Sequence, residues 1–395
     1  MKVPLSITAS VLLLVGLLCV SPVVADDQGP VRFDRRELLL SPNEGCALAD
    51  VDRDGRLDII AGTHWFAAPD FTPRPIREIA EFSEDFLANN GDHPYDVNGD
   101  GWIDVVSGEW MGDEIHWYEN PGPEWLAKGL RWKPHLLKKT RGENEALFLR
   151  DLDGDGVPEI VVDCWEDDAP LVCWKFATDA DGEPTIERIE LGSEGCGHGM
   201  AFGDVNGDGR EDILVKVGWY ERPEGDPLAN KWKLHRDWDR GHGSTPHLVV
   251  DLNGDGRNDV IWGNGHDFGL YWYEQGKPTA DGATTWTEHL IDNDYSQTHT
   301  LVWVDIDGDD EPELITGKRV RGHAGRDPGG HDPECLYYYE WHPNDQTFTR
   351  HEISPPGGGT GTGMQINTAD LNGDGLVDIA VGGKSGTWLL LNRGR

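Results

Sequence analysis

Positive charge is scarce in this chain of 395 residues, in which 34 Lys and Arg stand against 72 Asp and Glu for a net charge of −38. An acidic surface of this kind repels phosphate backbones, which argues against a nucleic-acid partner. Long apolar runs are also missing beyond the N-terminal segment, so no membrane span is expected. The sequence has no HExxH pair and no nucleophile-elbow motif, which argues against zinc-protease and serine-hydrolase chemistry.

The N-terminus has the pattern of a secretory signal peptide. Lys2 precedes a short apolar core, and Val24 and Ala25 provide a small-residue cleavage site. We therefore expect residues 1–25 to be removed and the protein to act outside the cytoplasm, secreted or periplasmic. A membrane anchor is the alternative, but the apolar core is short for a bilayer span.

Cysteine is rare, with six residues in the whole chain. Removal of residues 1–25 takes Cys19 with it and leaves an odd number, so at least one thiol stays free. Cys164 and Cys173 fall on strands that we expect to be adjacent in one sheet. They are therefore the favoured disulfide in an oxidising compartment.

An acidic nonapeptide repeats along the chain, and each copy runs directly into an apolar strand. The copies lie 46 to 65 residues apart. They begin at Asp50, Asp96, Asp151, Asp204, Asp251, Asp305 and Asp370. One four-stranded propeller blade fits such an interval. The sequence therefore predicts an all-β fold, a single seven-bladed β-propeller over residues 26–395.

Each nonapeptide has the pattern of a calcium loop between two strands. Oxygen side chains at positions 1, 3, 5 and 9 can converge on one hard cation, and glycine at position 6 allows the sharp turn. The predicted ligands are Asp50, Asp52, Asp54, Asp58, Asp96, Asn98, Asp100, Asp104, Asp151, Asp153, Asp155, Glu159, Asp204, Asn206, Asp208, Asp212, Asp251, Asn253, Asp255, Asp259, Asp305, Asp307, Asp309, Glu313, Asp370, Asn372, Asp374 and Asp378. The alternative is a set of metal-free Asx turns. The sixth loop has Asp310 in place of glycine and is predicted to be the weakest site.

The two ends of the chain predict how the ring closes. After the seventh nonapeptide only two further strands are evident, which leaves the last blade one strand short. The segment from Phe33 to Leu38 matches the outer strand of the sixth blade, from Phe348 to Ile353. We therefore expect the N-terminal strand to complete the seventh blade and to remove an open sheet edge.

These repeats, such as the one from Asp204 to Asp212, resemble the FG-GAP/VCBS repeats of bacterial and integrin-type propellers. The resemblance implies a calcium-binding propeller without fixing its function. The inner strands that carry His, and the aromatic strand from Trp117 to Pro121, are also similar to the propeller of aldos-2-ulose (anhydrofructose) dehydratase. That narrower resemblance implies a carbohydrate ligand and a carbon–oxygen lyase.

The chemistry is expected at the mouth of the central channel, on the face opposite the nonapeptides. Strand one of each blade begins there and strand two ends there. The sixth residue before each nonapeptide gives a ring of side chains, namely Glu44, Asn90, Glu145, His198, Thr245, His299 and Met364. The catalytic candidates at or near this mouth are His198, His299, His247, His64, His266, Tyr295, Arg319 and Lys318.

Clustered His and carboxylate side chains favour either acid–base chemistry or one further ion, a transition metal or Mg²⁺, at the mouth. The basic stretch from Lys318 to His331 is either a solvated loop or a lid over this site. A lyase would use a His or a metal-activated water to remove a proton next to a carbonyl, with Lys, Arg or metal stabilising the enolate. The alternative is a non-catalytic module that binds a glycan or a protein at the same face.

Overall fold

The computed structural model describes residues 29–83, 86–109, 112–141, 144–166, 168–194, 197–280 and 283–395. The predicted signal peptide lies outside the described residues. Within these ranges the fold is almost entirely β, with one short α-helix, α1 (Pro123–Leu126), and one 3-10 turn (Gly322–Gly325). No helix in this part of the chain is long and apolar enough to cross a membrane.

The strands of the described residues form seven four-stranded antiparallel sheets, as the repeats predict. The first strand is β1 (Phe33–Leu39). Blade 1 consists of β2 (Ala47–Ala49), β3 (Asp58–Ala61), β4 (His64–Ala67) and β5 (Thr72–Pro75). A small hairpin follows, made of β6 (Glu81–Ser83) and β7 (Phe86–Leu87). Blade 2 consists of β8 (His93–Tyr95), β9 (Asp104–Ser107), β10 (Glu114–Glu119) and β11 (Lys133–Lys139).

Blades 3 to 6 repeat the same order. Blade 3 consists of β12 (Asn144–Arg150), β13 (Glu159–Cys164), β14 (Val172–Thr178) and β15 (Pro184–Glu190). Blade 4 consists of β16 (Ala201–Gly203), β17 (Asp212–Val215), β18 (Gly218–Glu221) and β19 (Lys233–His235). Blade 5 consists of β20 (Leu248–Val250), β21 (Asp259–Gly263), β22 (Phe268–Gln275) and β23 (Trp286–Ser296). Blade 6 consists of β24 (Thr298–Val304), β25 (Glu313–Lys318), β26 (Leu336–His342) and β27 (Thr347–Ser354).

Blade 7 closes the ring in the predicted way. Its strands are β28 (Ile366–Ala369), β29 (Asp378–Gly383) and β30 (Gly386–Asn392), with β1 added at the outer edge. The pairing is antiparallel and places Phe33 opposite Asn392. The first and last strands therefore hold each other in one sheet, which leaves no open seam between them.

The second strand of each blade reads as a continuous apolar run because both of its faces are covered. In β3 and β17 every residue is buried, and both strands begin with the acid that ends a nonapeptide. Neighbouring blades supply the cover, and the aromatic third strands fill the space between them, as with the fully buried Trp65 and Trp272. The core thus lies between the blades, as sheet-on-sheet packing requires.

The outer strands carry a recurring His that packs within its own blade. In blade 2, Nε2 of His135 lies 2.7 Å from a carboxylate oxygen of Glu119, and its ring stacks on Trp117 at 4.4 Å. The same three-residue contact recurs as His235 with Glu221 and Trp219, His289 with Glu274 and Trp272, and His351 with Glu340 and Tyr338. These four histidines hold third and fourth strands together and lie away from the channel mouth.

The predicted disulfide between Cys164 and Cys173 is not formed in the structure. The ladder register explains the difference. Cys173 lies opposite Val161 on the neighbouring strand, so Cys164 is three positions further along. A disulfide needs two residues nearly opposite each other.

Candidate functional site: a His and carboxylate cluster at the channel mouth

The channel mouth brings together residues from four consecutive blades. His299 is the second residue of β24, and the sixth nonapeptide starts at Asp305, directly after the same strand ends. At about 3.3 Å per residue the two ends lie about 20 Å apart. The mouth and the nonapeptides are therefore on opposite faces of the ring, as the sequence predicts.

Four side chains converge at this mouth, namely Glu145, His198, His266 and His299, and all four are buried. Nε2 of His198 lies 3.0 Å from Nε2 of His266 and 3.3 Å from Nε2 of His299. Oε1 of Glu145 lies 3.2 Å from Nε2 of His198 and 3.3 Å from Nε2 of His299. The four ligand atoms therefore lie within 4.8 Å of one another.

This arrangement fits a divalent transition metal. Zinc bonds to nitrogen and oxygen are about 2.0–2.2 Å long, which places the ligand atoms of a tetrahedral site about 3.3–3.6 Å apart. The observed separations of 3.0 to 3.3 Å lie close to the lower end of that range. Three imidazole nitrogens and one carboxylate oxygen suit zinc and other first-row metals better than calcium or magnesium, which prefer oxygen.

The protonation of these groups also suits a metal centre. Burial lowers the pKa of His266 to about 3 and that of His299 well below its ordinary value, so both rings are neutral and their nitrogens can bind a cation. Burial also acts to lower the pKa of His198, but the neighbouring Glu145 outweighs it and raises the value. The pKa of Glu145 stays well below its usual range because the cationic neighbours outweigh its burial.

A buried ion-pair network supports the cluster from the side of blades 7 and 1. Arg319 donates from Nε and Nη2 to the two carboxylate oxygens of Glu44, at 2.8 and 2.9 Å. Lys384 donates to the same carboxylate at 2.6 Å. The remaining arginine nitrogen, Nη1, lies 3.7 Å from Oε1 of Glu145. Arg319, held by Glu44, therefore places a positive charge next to the carboxylate of Glu145.

Glu44→Gln is expected to destabilise the fold by about 3–5 kcal/mol, because it leaves the buried charges of Arg319 and Lys384 without their shared carboxylate. Urea unfolding followed by tryptophan fluorescence measures the loss. Glu37→Gln, at an exposed position of β1, is the control and should change little. A Glu44→Gln variant as stable as the wild type would show that the network contributes no net stability.

Asp163, at the end of β13, is the buried acid next to this cluster. Its Oδ2 accepts hydrogen bonds from the backbone N–H of Gly199 at 3.2 Å and from Oγ1 of Thr245 at 3.0 Å. Its Oδ1 has no hydrogen-bond partner among the described residues. Burial raises the pKa of Asp163 to about 7, which is the range in which a carboxyl group can exchange a proton near neutral pH.

The structure brings some of the sequence-predicted catalytic residues together and places others elsewhere. His198, His266, His299 and Arg319 lie at one site. His247 is buried beside it and bonds through Nδ1 to Oγ of Ser244 at 3.0 Å, with the Trp262 ring nearby. The other candidates lie apart from the cluster.

His64, Tyr295 and Lys318 each have another partner. His64 is half-buried in blade 1 and bonds to the hydroxyl of Thr63 at 2.8 Å. Tyr295 is buried in the hydrophobic core between blades 5 and 6, where Tyr339 donates to its oxygen at 3.1 Å. Lys318 is fully buried and donates to Oγ of Ser296 at 2.8 Å, and burial lowers its pKa.

The set of catalytic candidates did not include several groups that the structure places at the mouth, among them Glu145, Asp163 and His242, whose ring centroid lies 5.3 Å from that of His198. Glu145 belonged to the predicted ring and could have been found there, since it shares the spacing of His198 and His299. Asp163 lies near the end of the second strand of blade 3, and His266 follows the second strand of blade 5. The position at the end of a second strand therefore also indicated Asp163. The pattern alone did not separate these acids from the other polar ring members.

On the opposite face, the nonapeptides form compact loops. In the first loop the backbone N–H groups of Asp54 and Gly55 donate to Asp50, each at 3.0 Å. In all seven loops the N–H of position 2 donates to the acid at position 9, as from Val51 to Asp58 at 2.9 Å. In the first, third and sixth loops, carboxylate oxygens of positions 1, 3 and 9 lie within 4.8 Å of one another.

The third and sixth loops, which end in Glu, also contact a basic side chain. Nζ of Lys175 lies 2.5 Å from Asp153, 2.8 Å from Asp155 and 3.6 Å from Glu159. In the sixth loop Arg395 contacts Asp307. These cations offset part of the carboxylate repulsion in the two loops.

The fold and the site define a seven-bladed β-propeller with a His and carboxylate cluster at one mouth. Residues 96–162, 151–215 and 251–316 match the model of the FG-GAP-like repeat, so the blades in these stretches carry FG-GAP-like repeats. No curated protein matches the chain.

Solved structures similar to this chain include a lectin of Agrocybe aegerita described as recognising non-reducing terminal N-acetylglucosamine. It is 19% identical, with 80% of this chain and 81% of that chain covered and a TM-score of 0.46. BBS1N in complex with ARL6DN is 11% identical, with 90% and 94% covered and a TM-score of 0.49. The biofilm matrix protein Bap1 of V. cholerae is 18% identical, with 86% and 45% covered and a TM-score of 0.33.

Proposed function

We propose that the protein is a metal-dependent carbon–oxygen lyase, which eliminates water or an alcohol from a sugar that carries a carbonyl or carboxylate group. One observation carries the proposal: three imidazole nitrogens and the carboxylate oxygen of Glu145 converge with the separations of metal ligands. A divalent ion bound there would polarise the substrate oxygen and make the adjacent carbon–hydrogen bond more acidic.

The protein groups around this point supply the rest of the reaction. The unpartnered Oδ1 of Asp163 can accept the proton from the substrate carbon, because its other oxygen is already held by Gly199 and Thr245. The electron pair of that carbon–hydrogen bond forms the new double bond as the neighbouring carbon–oxygen bond breaks. The proton taken up by Asp163 can then pass to the departing oxygen, which leaves as water or an alcohol.

The choice of sugars as the substrate class rests on the resemblance to the aldos-2-ulose dehydratase propeller. The burial of the cluster adds a physical reason for a lyase, since a polarising site acts most strongly where water is excluded. Imidazole ligands favour zinc or another first-row metal over Mg²⁺ at this site.

The experiment is an elimination assay on the metal-loaded protein. Keto-sugars, glycosides and uronic-acid polysaccharides are incubated with it, and ultraviolet absorbance is followed for a double bond conjugated to a carbonyl or carboxylate. We expect a rise that depends on stoichiometric metal. A ligand that binds without any absorbance change across the panel would contradict the lyase and support a non-catalytic glycan-binding propeller.

We further propose that the seven nonapeptide loops bind calcium and that the protein works outside the cytoplasm. The converging carboxylates of the first, third and sixth loops support the calcium proposal, as does Glu159, which is fully buried and whose Oε1 accepts no hydrogen bond among the described residues. Weak loops of this kind bind in about the 10⁻⁴ to 10⁻³ M range, which matches extracellular calcium.

A further inference from the structure

His266 uses its two ring nitrogens for two different purposes. Nε2 points into the cluster, 3.0 Å from Nε2 of His198. Nδ1 points outward and lies 2.8 Å from Oδ2 of Asp327. A metal-binding imidazole generally donates its other N–H to a carboxylate or carbonyl, which fixes the tautomer and the ring orientation. Asp327 is placed to be that acceptor.

The other two histidines of the cluster lack such a contact. Nδ1 of His198 and Nδ1 of His299 are buried and have no hydrogen-bond partner among the described residues. Protein support for the orientation of an imidazole is therefore concentrated on His266. It comes from one residue of a loop in the next blade.

Asp327 belongs to the loop of residues 318–331, which starts at the last residue of β25 and forms most of the connection to β26 in blade 6. Its other oxygen, Oδ1, lies 2.8 Å from Nδ1 of His323 in the same loop. The ring of His323 stacks on that of His266, with centroids 4.3 Å apart and planes inclined by 17°. The loop therefore covers the outer side of His266. Asp327 contacts the edge of the ring at Nδ1, and His323 stacks on its face.

The backbone of this loop is in a conformation that L-residues avoid. Arg321, His323 and Ala324 have φ values of 55°, 46° and 56°, all in the left-handed region. Residues other than glycine adopt that region only where surrounding contacts hold them there. The contacts of Asp327 and His323 with His266 help to hold the loop backbone in this conformation.

We infer that Asp327 is a positioning residue of the metal centre, and that through it the 318–331 loop and the bound ion stabilise each other. The inference rests on the proposed metal centre. The physical basis is thermodynamic linkage. If the loop in its closed position increases the affinity for the metal by some factor, the bound metal favours the closed position of the loop by the same factor.

The first test is metal affinity, measured by competition of Zn²⁺ between the protein and a chromophoric chelator. Asp327→Ala is expected to weaken Zn²⁺ binding about 10–100-fold, the usual effect of losing such an outer partner. Asp327→Asn keeps an oxygen that can accept from Nδ1 of His266, so it should lose less than the alanine variant. Asp332→Asn, an acid at an exposed position beyond the same loop, is the charge-matched control and should bind like the wild type.

The second test is limited trypsin digestion after Arg321 and Arg326, with each protein compared with and without Zn²⁺. In the wild type, Zn²⁺ should slow cleavage within the loop. In Asp327→Ala this protection should be largely lost, while circular dichroism and the melting temperature of the zinc-free protein remain close to those of the wild type. A purely structural role of Asp327 would lower that melting temperature instead.

The outcomes separate this inference from the proposed function. Wild-type protein that binds no Zn²⁺ would overturn the metal centre and the inference with it. Wild-type protein that binds Zn²⁺, with Asp327→Ala binding equally well and equally protected from trypsin, would overturn the inference alone. Loss of affinity and of protection in Asp327→Ala, with partial recovery in Asp327→Asn, is the expected result.

Discussion

We expect His299→Ala to lose the proposed transition metal, and the proposed turnover to fall with it by about a thousandfold or more. The reason is that Nε2 of His299 is one of four atoms around the site, and its ring is fully buried, so no solvent-exposed group can replace it. A metal acting as a Lewis acid supplies several kcal/mol of transition-state stabilisation, and each 1.36 kcal/mol is a factor of ten in rate. Metal stoichiometry by mass spectrometry and the elimination rate measure both effects.

The matched control is His64→Ala. His64 is also near the end of a blade strand, but it bonds to Thr63 and lies apart from the cluster. Its metal content and rate should stay close to those of the wild type. An His299→Ala protein that keeps one tightly bound metal, or one that keeps its turnover while folded, would rule out the proposed centre.

Removing calcium is expected to lower the melting temperature of the protein by about 5–15 °C. At millimolar calcium and dissociation constants of about 10⁻⁴ to 10⁻³ M, calcium binding at each loop raises the free energy of unfolding by about 0.4–1.4 kcal/mol. For seven loops this amounts to several kcal/mol. The loops also crowd carboxylates together, so their repulsion is released when the ions leave. Differential scanning calorimetry with and without a calcium chelator measures the shift.

Chelators also bind transition metals, so the design must separate the two kinds of site. Calcium added back to the chelated protein should restore the melting temperature, whereas one equivalent of Zn²⁺ should not. Asp370→Asn in the seventh loop should reduce the calcium effect by one site. A melting temperature that is indifferent to calcium would favour the alternative of metal-free Asx turns.

The spacing of the repeats predicted more than the fold. Because the first strand of each blade runs from the mouth into its nonapeptide, counting back six residues identified Glu145, His198 and His299 without any structure. His266 followed from the same logic at the end of a second strand. The position of a residue along a regular strand is therefore enough to identify residues that lie together at the channel mouth.

The rest of the site depends on features that counting does not describe. Lys318 and Arg319 are neighbours in sequence, and successive side chains near the end of a strand point to opposite sides. Only Arg319 reaches the cluster, while Lys318 turns to Ser296. Asp327 lies in an irregular loop with left-handed residues, so no periodicity could predict that it meets His266.

The polar network at the mouth also affects how the propeller unfolds. In most repeat proteins each unit touches only its neighbours, and the array can open from one end. Here Glu145 of blade 3 contacts His299 of blade 6, and Arg319 of blade 6 binds Glu44 at the entrance to blade 1. These contacts skip over intervening repeats. Loosening one blade therefore strains distant ones, and the ring should lose its structure as a single cooperative unit.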